Sequence, residues 1–148
     1  MLRADDAPAL GYEQNKQVVR TLCEEVFGQG RLELADQLVH PECRDLHDPQ
    51  DRRGPARVKE VAMMLRAAFP DQRWEIERLV AEEDRVAMYC TWTATHEGTF
   101  MGIPPTGRRA TVPHMYLFRL DDGLITEYAA VRDDLGMMRQ LGLIPARG

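Results

Sequence analysis

The sequence predicts an α+β fold in which helices come first and a curved antiparallel sheet follows. Apolar residues recur at helical spacing before Asp71 and at alternate positions after it. Helices that are segregated from strands along a chain indicate α+β rather than a doubly wound parallel sheet. A length of 148 residues, 44% of them hydrophobic, suits one domain with a substantial core. We therefore expect a single domain over residues 12–148, preceded by a flexible leader over residues 1–11.

Three helices are predicted in the first half of the chain. The first covers residues 14–27, because apolar residues repeat there every fourth position and glycines follow. The second covers residues 31–39 and ends at His40-Pro41, since a residue before proline disfavours helical geometry. Residues 42–54 are polar and predict an irregular loop. The third helix covers residues 55–69 and opens on Pro55, which has no N–H to leave unpaired in the first turn.

Four meandering strands and a last helix are predicted in the second half. The strands cover residues 74–80, 85–97, 109–120 and 124–131, and the helix covers residues 133–141. In the first strand, alternation places Trp74, Ile76, Arg78 and Val80 on one face. In the next two strands, alternation places Trp92 and His96, and then His114 and Tyr116, on faces that wall an apolar hollow.

Charge and cysteine content exclude several classes of protein. Twenty-four acidic against nineteen basic residues give a net charge of −5, which argues against nucleic-acid binding. No run approaches the roughly 18 apolar residues of a membrane span, and no signal peptide is expected at the start. The three cysteines include no CxxC pair and the histidines no HExxH motif, so neither a disulfide framework nor a metal site is expected. A reducing cytoplasm fits this cysteine content.

Several motifs resemble those of the SnoaL-like polyketide cyclase family. They are Phe69-Pro70-Asp71, His47-Asp48-Pro49, Phe118-Arg119, Asp122-Gly123, Gln140-Leu141-Gly142 and the stretch from His96 to Arg108. The resemblance extends over residues 15–142. It implies a fold similar to those of nuclear transport factor 2 and ketosteroid isomerase, a cone with one internal cavity. It also implies a homodimer or homotetramer assembled through the outer face of the sheet, and an intramolecular aldol ring closure that uses no metal or organic cofactor.

One position departs from the pattern of the family. The founding cyclases use an aspartate late in the last strand as general acid/base. Counting back from Gln140-Leu141-Gly142, that position is Ala130 in this sequence. The departure implies either that another side chain takes the role or that the ring is closed by a different reaction, such as a cycloaddition or an epoxide opening.

Four side chains are candidates for the chemistry, each with a structural alternative. His114 is a base or polar orienter, since histidine titrates near neutral pH, or else a core histidine. Tyr116 and Tyr128 can donate to a developing oxyanion, or else pack with their hydroxyls at the rim. Asp133 is the acid nearest to the vacated position, although its place before the last helix favours an N-cap.

Other residues are candidates for binding a substrate. Trp74 and Trp92 offer flat surfaces on which a planar ring system can stack, or they are ordinary core residues. His96 contacts substrate at the mouth or closes a turn. Asp45 and His47 lie in the predicted loop, which can cover the cavity or be solvated.

These observations predict a cofactor-free cyclase that closes a ring in a hydrophobic, polyketide-like intermediate. The mechanism combines acid/base assistance with folding of the substrate in an apolar cavity. Two alternatives remain open. One is an epoxide hydrolase or isomerase that uses the same cavity, and the other is a non-catalytic ligand-binding or dimerisation domain.

Overall fold

A curved, unclosed sheet of five strands packs its inner face against the helices. The computed structural model describes residues 6–146. The helices are α1 (Asp6–Thr21), α2 (Ala35–Leu38), α3 (Gly54–Ala68) and α4 (Asp134–Gln140); a π-helical segment (Leu22–Phe27) continues α1, and a 3-10 turn (Leu32–Leu34) precedes α2. The strands are β1 (Val39–Asp45), β2 (Arg73–Glu82), β3 (Arg85–Thr95), β4 (Arg109–Asp121) and β5 (Leu124–Arg132). The predicted α+β class is confirmed.

The strands are arranged in the order β1-β5-β4-β3-β2. Strands β2 to β5 form an antiparallel meander, whereas β1 runs parallel to β5 at the edge. Two tight turns connect these strands: Glu83-Asp84 joins β2 to β3, and Asp122-Gly123 joins β4 to β5. Glu83, Asp122 and Gly123 have positive φ. Each of the four strands of the meander thus contributes alternate side chains to the inner face of the sheet.

The start of the chain differs from the prediction. Helix α1 begins at Asp6, so residues 6–11 belong to a helix and not to a flexible leader, while residues 1–5 lie outside the described residues. The second predicted helix is present as the 3-10 turn followed by α2, and it ends at Leu38 because Val39 already has extended backbone geometry (φ −117°, ψ 128°). A β-branched residue followed by His40-Pro41 favours that geometry.

Strand β1 lies in a segment that was predicted to be an irregular loop. It buries Val39 and Cys43 against the core and leaves Pro41, Glu42 and Arg44 exposed. Its pairing with β5 is irregular between Val39 and Arg44. Proline at position 41 is tolerated because β1 is an edge strand with one unpaired side.

A β-bulge in β2 overturns the predicted alternation of that strand. Ile76 pairs with Cys90 and Arg78 pairs with Tyr89, so Glu77 is an extra residue. After the bulge, Leu79 faces the core, whereas Val80 is 61% exposed. One inserted residue changes the face of every later side chain, since the strand period is two.

Candidate functional site

An apolar cavity lies between the inner face of the sheet and the helices. Its lining combines the π-helical segment, α3 and four strands: Leu22, Cys23, Phe27, Val58, Trp74, Met88, Tyr116, Phe118 and Tyr128. The space at this site, open solvent included, is about 330 Å³, and the side chains pack so closely that only a small part of it admits a water molecule. The π-helical segment contributes three of the lining residues; π-helical turns frequently occur at functional sites.

Only some of the residues that alternation predicted to line the hollow do line the cavity. Tyr116, Tyr128 and Trp74 line the cavity, whereas Trp92 and His114 do not. The reason is the Trp74 ring, which faces the cavity and packs edge-on against His114, with ring centroids 5.3 Å apart. Trp92 stacks on His114 with ring centroids 5.8 Å apart, and it packs against Phe69 at 4.8 Å.

Tyr116 and Tyr128 are the oxygen-bearing side chains of the cavity lining. Strand register places Tyr116 opposite Ala130 and Phe118 opposite Tyr128, so all four lie on the inner face. Burial raises the pKa of both phenols, and Asp45 raises that of Tyr128 further. Both hydroxyls therefore stay protonated and can donate hydrogen bonds at neutral pH.

Position 130 holds a methyl group where the resemblance implies a carboxylate. Ala130 lies opposite Tyr116 on the inner face, so this position does face the side of the sheet that carries the cavity. The cavity lining in the described part of the chain contains no Asp or Glu. Its one thiol, Cys23, hydrogen-bonds with Cys90 and is buried; both effects raise its pKa, so it remains a thiol rather than a nucleophilic thiolate.

His114 is buried between two indole rings and is only 6% exposed. Burial, and to a smaller extent the positive charge of Arg132, lower its pKa to about 3. Arg132 lies opposite His114 in the register of β4 and β5. The imidazole is consequently neutral at physiological pH and is a weak base.

Gln72 joins the two tryptophans, a role that the sequence analysis did not anticipate. Its Oε1 accepts hydrogen bonds from Trp74 Nε1 at 3.0 Å and from Trp92 Nε1 at 3.2 Å. Because indole nitrogens only donate, this arrangement fixes which way the amide points. The residue directly follows Phe69-Pro70-Asp71, and no periodic pattern marks it as a site residue.

His96 is fully buried and does not reach the cavity. Its Nδ1 lies 3.2 Å from the Thr106 hydroxyl, and its ring packs on Phe69 at 5.4 Å. The backbone N–H of Gly107 donates to the His96 carbonyl. These contacts match the turn-closing alternative rather than a contact at the mouth.

The predicted loop residues form an ion-pair cluster beside β1. Asp45, at the end of β1, lies opposite Tyr128 in register and contacts Arg57 Nη2 at 3.3 Å. Asp48 has a fully buried side chain that pairs with Arg52. His47 is exposed, and its backbone N–H donates to Asp45 Oδ1 at 3.0 Å. The cluster thus holds the loop near the tyrosine end of the cavity.

Asp133 caps helix α4. Its Oδ1 accepts the backbone N–H of Gly136 at 2.8 Å, and the residue is exposed. It is not part of the cavity lining. The geometry matches the N-cap alternative.

In the described part of the chain, no group of three or more His, Cys, Asp and Glu side chains is placed to hold a metal ion. Over the same residues, no helix combines the length and the apolar character needed to cross a membrane.

A curved sheet with an apolar cavity on its inner face defines a class of small α+β proteins that enclose hydrophobic ligands. The chain belongs within that class to the SnoaL-like polyketide cyclase family, whose model matches residues 17–141. The resemblance seen in the motifs is thereby confirmed.

Curated relatives and a solved structure agree with this assignment. The nogalonic acid methyl ester cyclase of Streptomyces nogalater is 30% identical over 78% of this chain and 89% of its own length. The aklanonic acid methyl ester cyclase DnrD of Streptomyces peucetius is 29% identical over 80% of this chain and 84% of its own. The crystal structure of wild-type IdmH from Streptomyces antibioticus superposes with a TM-score of 0.75, at 30% identity over 87% of this chain and 99% of that one.

Proposed function

We propose that this chain is a cyclase that closes a ring in a hydrophobic, polyketide-derived intermediate without a carboxylate at position 130. The observation that carries the proposal is the pair of protonated phenols, Tyr116 and Tyr128, in an otherwise apolar cavity of a SnoaL-like fold. The cavity folds the substrate so that the reacting carbons meet, and the phenols hydrogen-bond the oxygen that gains negative charge.

An intramolecular aldol closure fits these groups. A carbon between two carbonyls loses a proton to solvent and attacks a third carbonyl carbon, and the new alkoxide oxygen then takes up a proton. One C–C bond forms, one C–H bond is replaced by an O–H bond, and the mass of the molecule is unchanged. The substrate's own acidity lowers the need for a strong base, and in well-oriented intramolecular reactions positioning alone can supply about 7–11 kcal/mol.

His114 takes the orienting role rather than that of the base in this proposal. A base works best when its pKa is near the operating pH, and burial lowers the pKa of His114 to about 3. Asp133 is assigned no proton transfer, because the capping hydrogen bond to Gly136 occupies its carboxylate. Trp74 provides the stacking surface, since it lines the cavity, whereas Trp92 supports His114 from behind.

A second candidate is a non-catalytic domain that binds a hydrophobic ligand. The observation that favours it is the close packing of the cavity, which admits little more than a water molecule without movement of its walls. This candidate predicts binding without turnover.

We also propose that two copies associate through the outer face of the sheet. Register places Tyr89, Met115 and Val131 in one row across β3, β4 and β5, with Leu117 in the adjacent row. All four side chains are between 39% and 74% exposed. A two-fold axis would lay this apolar surface against itself, which removes it from water.

The first test is turnover of a methyl ester of the kind that the relatives' names specify. Nogalonic acid methyl ester is incubated with the protein, the products are separated, and their masses are measured by mass spectrometry. We expect an isomer of unchanged mass to form. Tyr116→Phe, which removes one donor, should lower kcat by about 100-fold with little change in KM.

Tyr89→Phe is the matched control, because Tyr89 is 39% exposed on the outer face of the sheet. It should leave turnover unchanged. If the ester binds but no isomer forms, the cyclase proposal is wrong and the binding-domain candidate stands. If Tyr116→Phe turns over like the wild type, the phenol plays no part in the reaction.

A further inference from the structure

Two buried polar nitrogens next to the cavity have no hydrogen-bonding partner among the described residues: Gln72 Nε2 and His114 Nδ1. Gln72 is 5% exposed and His114 is 6% exposed. Buried polar groups are nearly always paired, because leaving water without a new partner costs free energy. An exception at the edge of a ligand cavity therefore calls for an explanation in terms of function.

Both nitrogens belong to side chains that pack on the same two indole rings. Gln72 Oε1 accepts from Trp74 and Trp92, so the amide nitrogen points away from both indole donors. His114 packs on the same rings, edge-on to Trp74 and nearly parallel to Trp92. The two unpaired nitrogens thus belong to side chains that share the Trp74 and Trp92 rings as neighbours.

The groups around these two side chains are mainly hydrogen-bond donors or positive charges. The Gln72 amide has two N–H donors, and the positively charged Arg132 lies opposite His114 in the register of β4 and β5. The nearest acid to its guanidinium is Asp134, which is 3.5 Å from Arg132 Nε. Such a set is complementary to an acceptor oxygen, as in a ketone or an ester carbonyl.

Trp74 lies between these side chains and the cavity. Its ring lines the cavity on one side and contacts His114 on the other. If Trp74 turns aside, Gln72 Oε1 keeps the hydrogen bond from Trp92 Nε1. The amide therefore stays oriented while Gln72 and His114 become accessible to the ligand.

We propose that Gln72 and His114 form the polar end of the ligand site, and that Gln72 Nε2 donates to a carbonyl oxygen of the bound molecule once the Trp74 ring turns aside. The inference rests on the proposed function in one respect, namely that the cavity receives the substrate. It adds a specificity residue, Gln72, and it selects ligands that carry an acceptor oxygen at one end of a flat ring system.

The test compares three bicyclic probes of similar size that differ in oxygen chemistry. Naphthalene has no oxygen, α-tetralone only accepts hydrogen bonds, and α-naphthol also donates. Binding is followed by NMR through the indole N–H signals of the protein's two tryptophans, which both lie at this site. The wild type should bind α-tetralone at least about tenfold more tightly than naphthalene, with a shift of the Trp74 signal.

Two substitutions isolate the amide donor. Gln72→Glu keeps an oxygen for both indoles and, when ionised at about pH 8, replaces the donor by an acceptor. This substitution should weaken the binding of α-tetralone about tenfold. It should leave the binding of α-naphthol unchanged, because the naphthol hydroxyl can donate to the carboxylate. Gln72→Met removes both functions and should bring α-tetralone down to the affinity of naphthalene. Gln37→Met, at an exposed residue of α2, is the control and should bind like the wild type.

The inference is overturned if naphthalene and α-tetralone bind the wild type equally, or if α-tetralone binding survives both Gln72 substitutions. Equal binding of the two probes overturns the inference even if a variant fails to fold. A preference for α-tetralone supports it only when Gln72→Met removes that preference, because the phenols of Tyr116 and Tyr128 can also donate to a carbonyl. Failure of the proposed function gives a different result. If the wild type shows this Gln72-dependent preference for α-tetralone but closes no ring, the Gln72 site stands and the cyclase proposal is wrong. If Gln72→Met closes the ring with an unchanged KM, the cyclase proposal stands and the Gln72 site is wrong.

Discussion

His114 shows how burial decides what a side chain can do chemically. In water an imidazole titrates near neutral pH and is a natural base. Between Trp74 and Trp92, with Arg132 opposite, the pKa falls to about 3 and the ring stays neutral. The residue type alone therefore suggested a base, while its surroundings favour a neutral hydrogen-bonding group.

The lowered pKa of His114 predicts a dependence of stability on pH. Below pH 6.5 the unfolded chain protonates this histidine, whereas the folded chain does not until about pH 3. The unfolded state then binds more protons, so this contribution to the unfolding free energy is lost as pH falls from 6.5 toward 3, by up to about 1.4 kcal/mol per pH unit.

Denaturant titrations at a series of pH values measure this slope. His114→Gln should reduce the slope, because the amide does not titrate, and His47→Gln, at an exposed loop residue, should leave it unchanged. An identical slope in wild type and His114→Gln would show that the imidazole is accessible to protons in the folded state.

Sequence reasoning predicted the direction of single residues well where alternation was regular. Trp92, His114 and Phe118 all face the core, as their strands predicted. Gln72 was missed because it precedes the strand and because its importance lies in one amide oxygen shared by two indoles. Such a contact depends on tertiary packing, which no local pattern encodes.

At the scale of elements, the segment between β1 and α3 is held by one buried carboxylate. Asp48 accepts the backbone N–H groups of Gln50 and Arg52 and both arms of the Arg52 guanidinium. Arg57 Nε lies 3.5 Å away. The hydrogen bonds from Arg52 lower the pKa of Asp48 well below its usual range, so the carboxylate stays ionised.

Asp48→Ala should destabilise the protein and loosen this loop. It removes the acceptor of two backbone N–H groups, and it leaves the guanidiniums of Arg52 and Arg57 without this carboxylate. Thermal unfolding and proteolysis of the loop measure the effect. Asp51→Asn is the control, because Asp51 is exposed, pairs only with exposed arginines and has a left-handed backbone (φ 49°) that asparagine tolerates. Equal melting temperatures for the two variants would contradict this description of the loop.

The elements that the sequence failed to predict have a physical cause in each case. Strand β1 carries a proline and several charges, and it is stable because its partner β5 supplies hydrogen bonds from a distant part of the chain. The bulge at Glu77 leaves no mark in the amino-acid composition of β2, but it reverses the face on which every later side chain of the strand lies. Regular alternation therefore placed Val80 on the wrong face. The three longer helices and the β2–β5 meander follow local periodicity and were predicted.

At the scale of the whole molecule, the sheet has two apolar faces with different uses. The inner face carries the cavity, and the outer face carries the exposed row of Tyr89, Met115 and Val131. A large exposed apolar surface on a sheet usually marks an interface. Curvature keeps the two surfaces apart, so assembly need not close the cavity.

Met115→Glu should therefore shift the protein toward the monomer. A charge in the centre of the apolar row would be buried without a partner when two copies meet. Sedimentation or light scattering measures the mass in solution. Met63→Glu, at a comparably exposed methionine of α3, should not change it. A wild type that is monomeric at all concentrations would contradict the proposed pairing.

The account depends most on ring closure by positioning and neutral donors, and the pH profile of turnover tests this most directly. The ratio of catalysed to uncatalysed ring closure of nogalonic acid methyl ester is measured between about pH 5 and about pH 8. Since His114 stays neutral over this range and both phenols stay protonated, the ratio should be flat. Ala130→Asp, which introduces a carboxylate opposite Tyr116, should add an inflection and so show that the assay detects one. An inflection in the wild type would mean that a titrating base acts in the reaction, and would contradict the account.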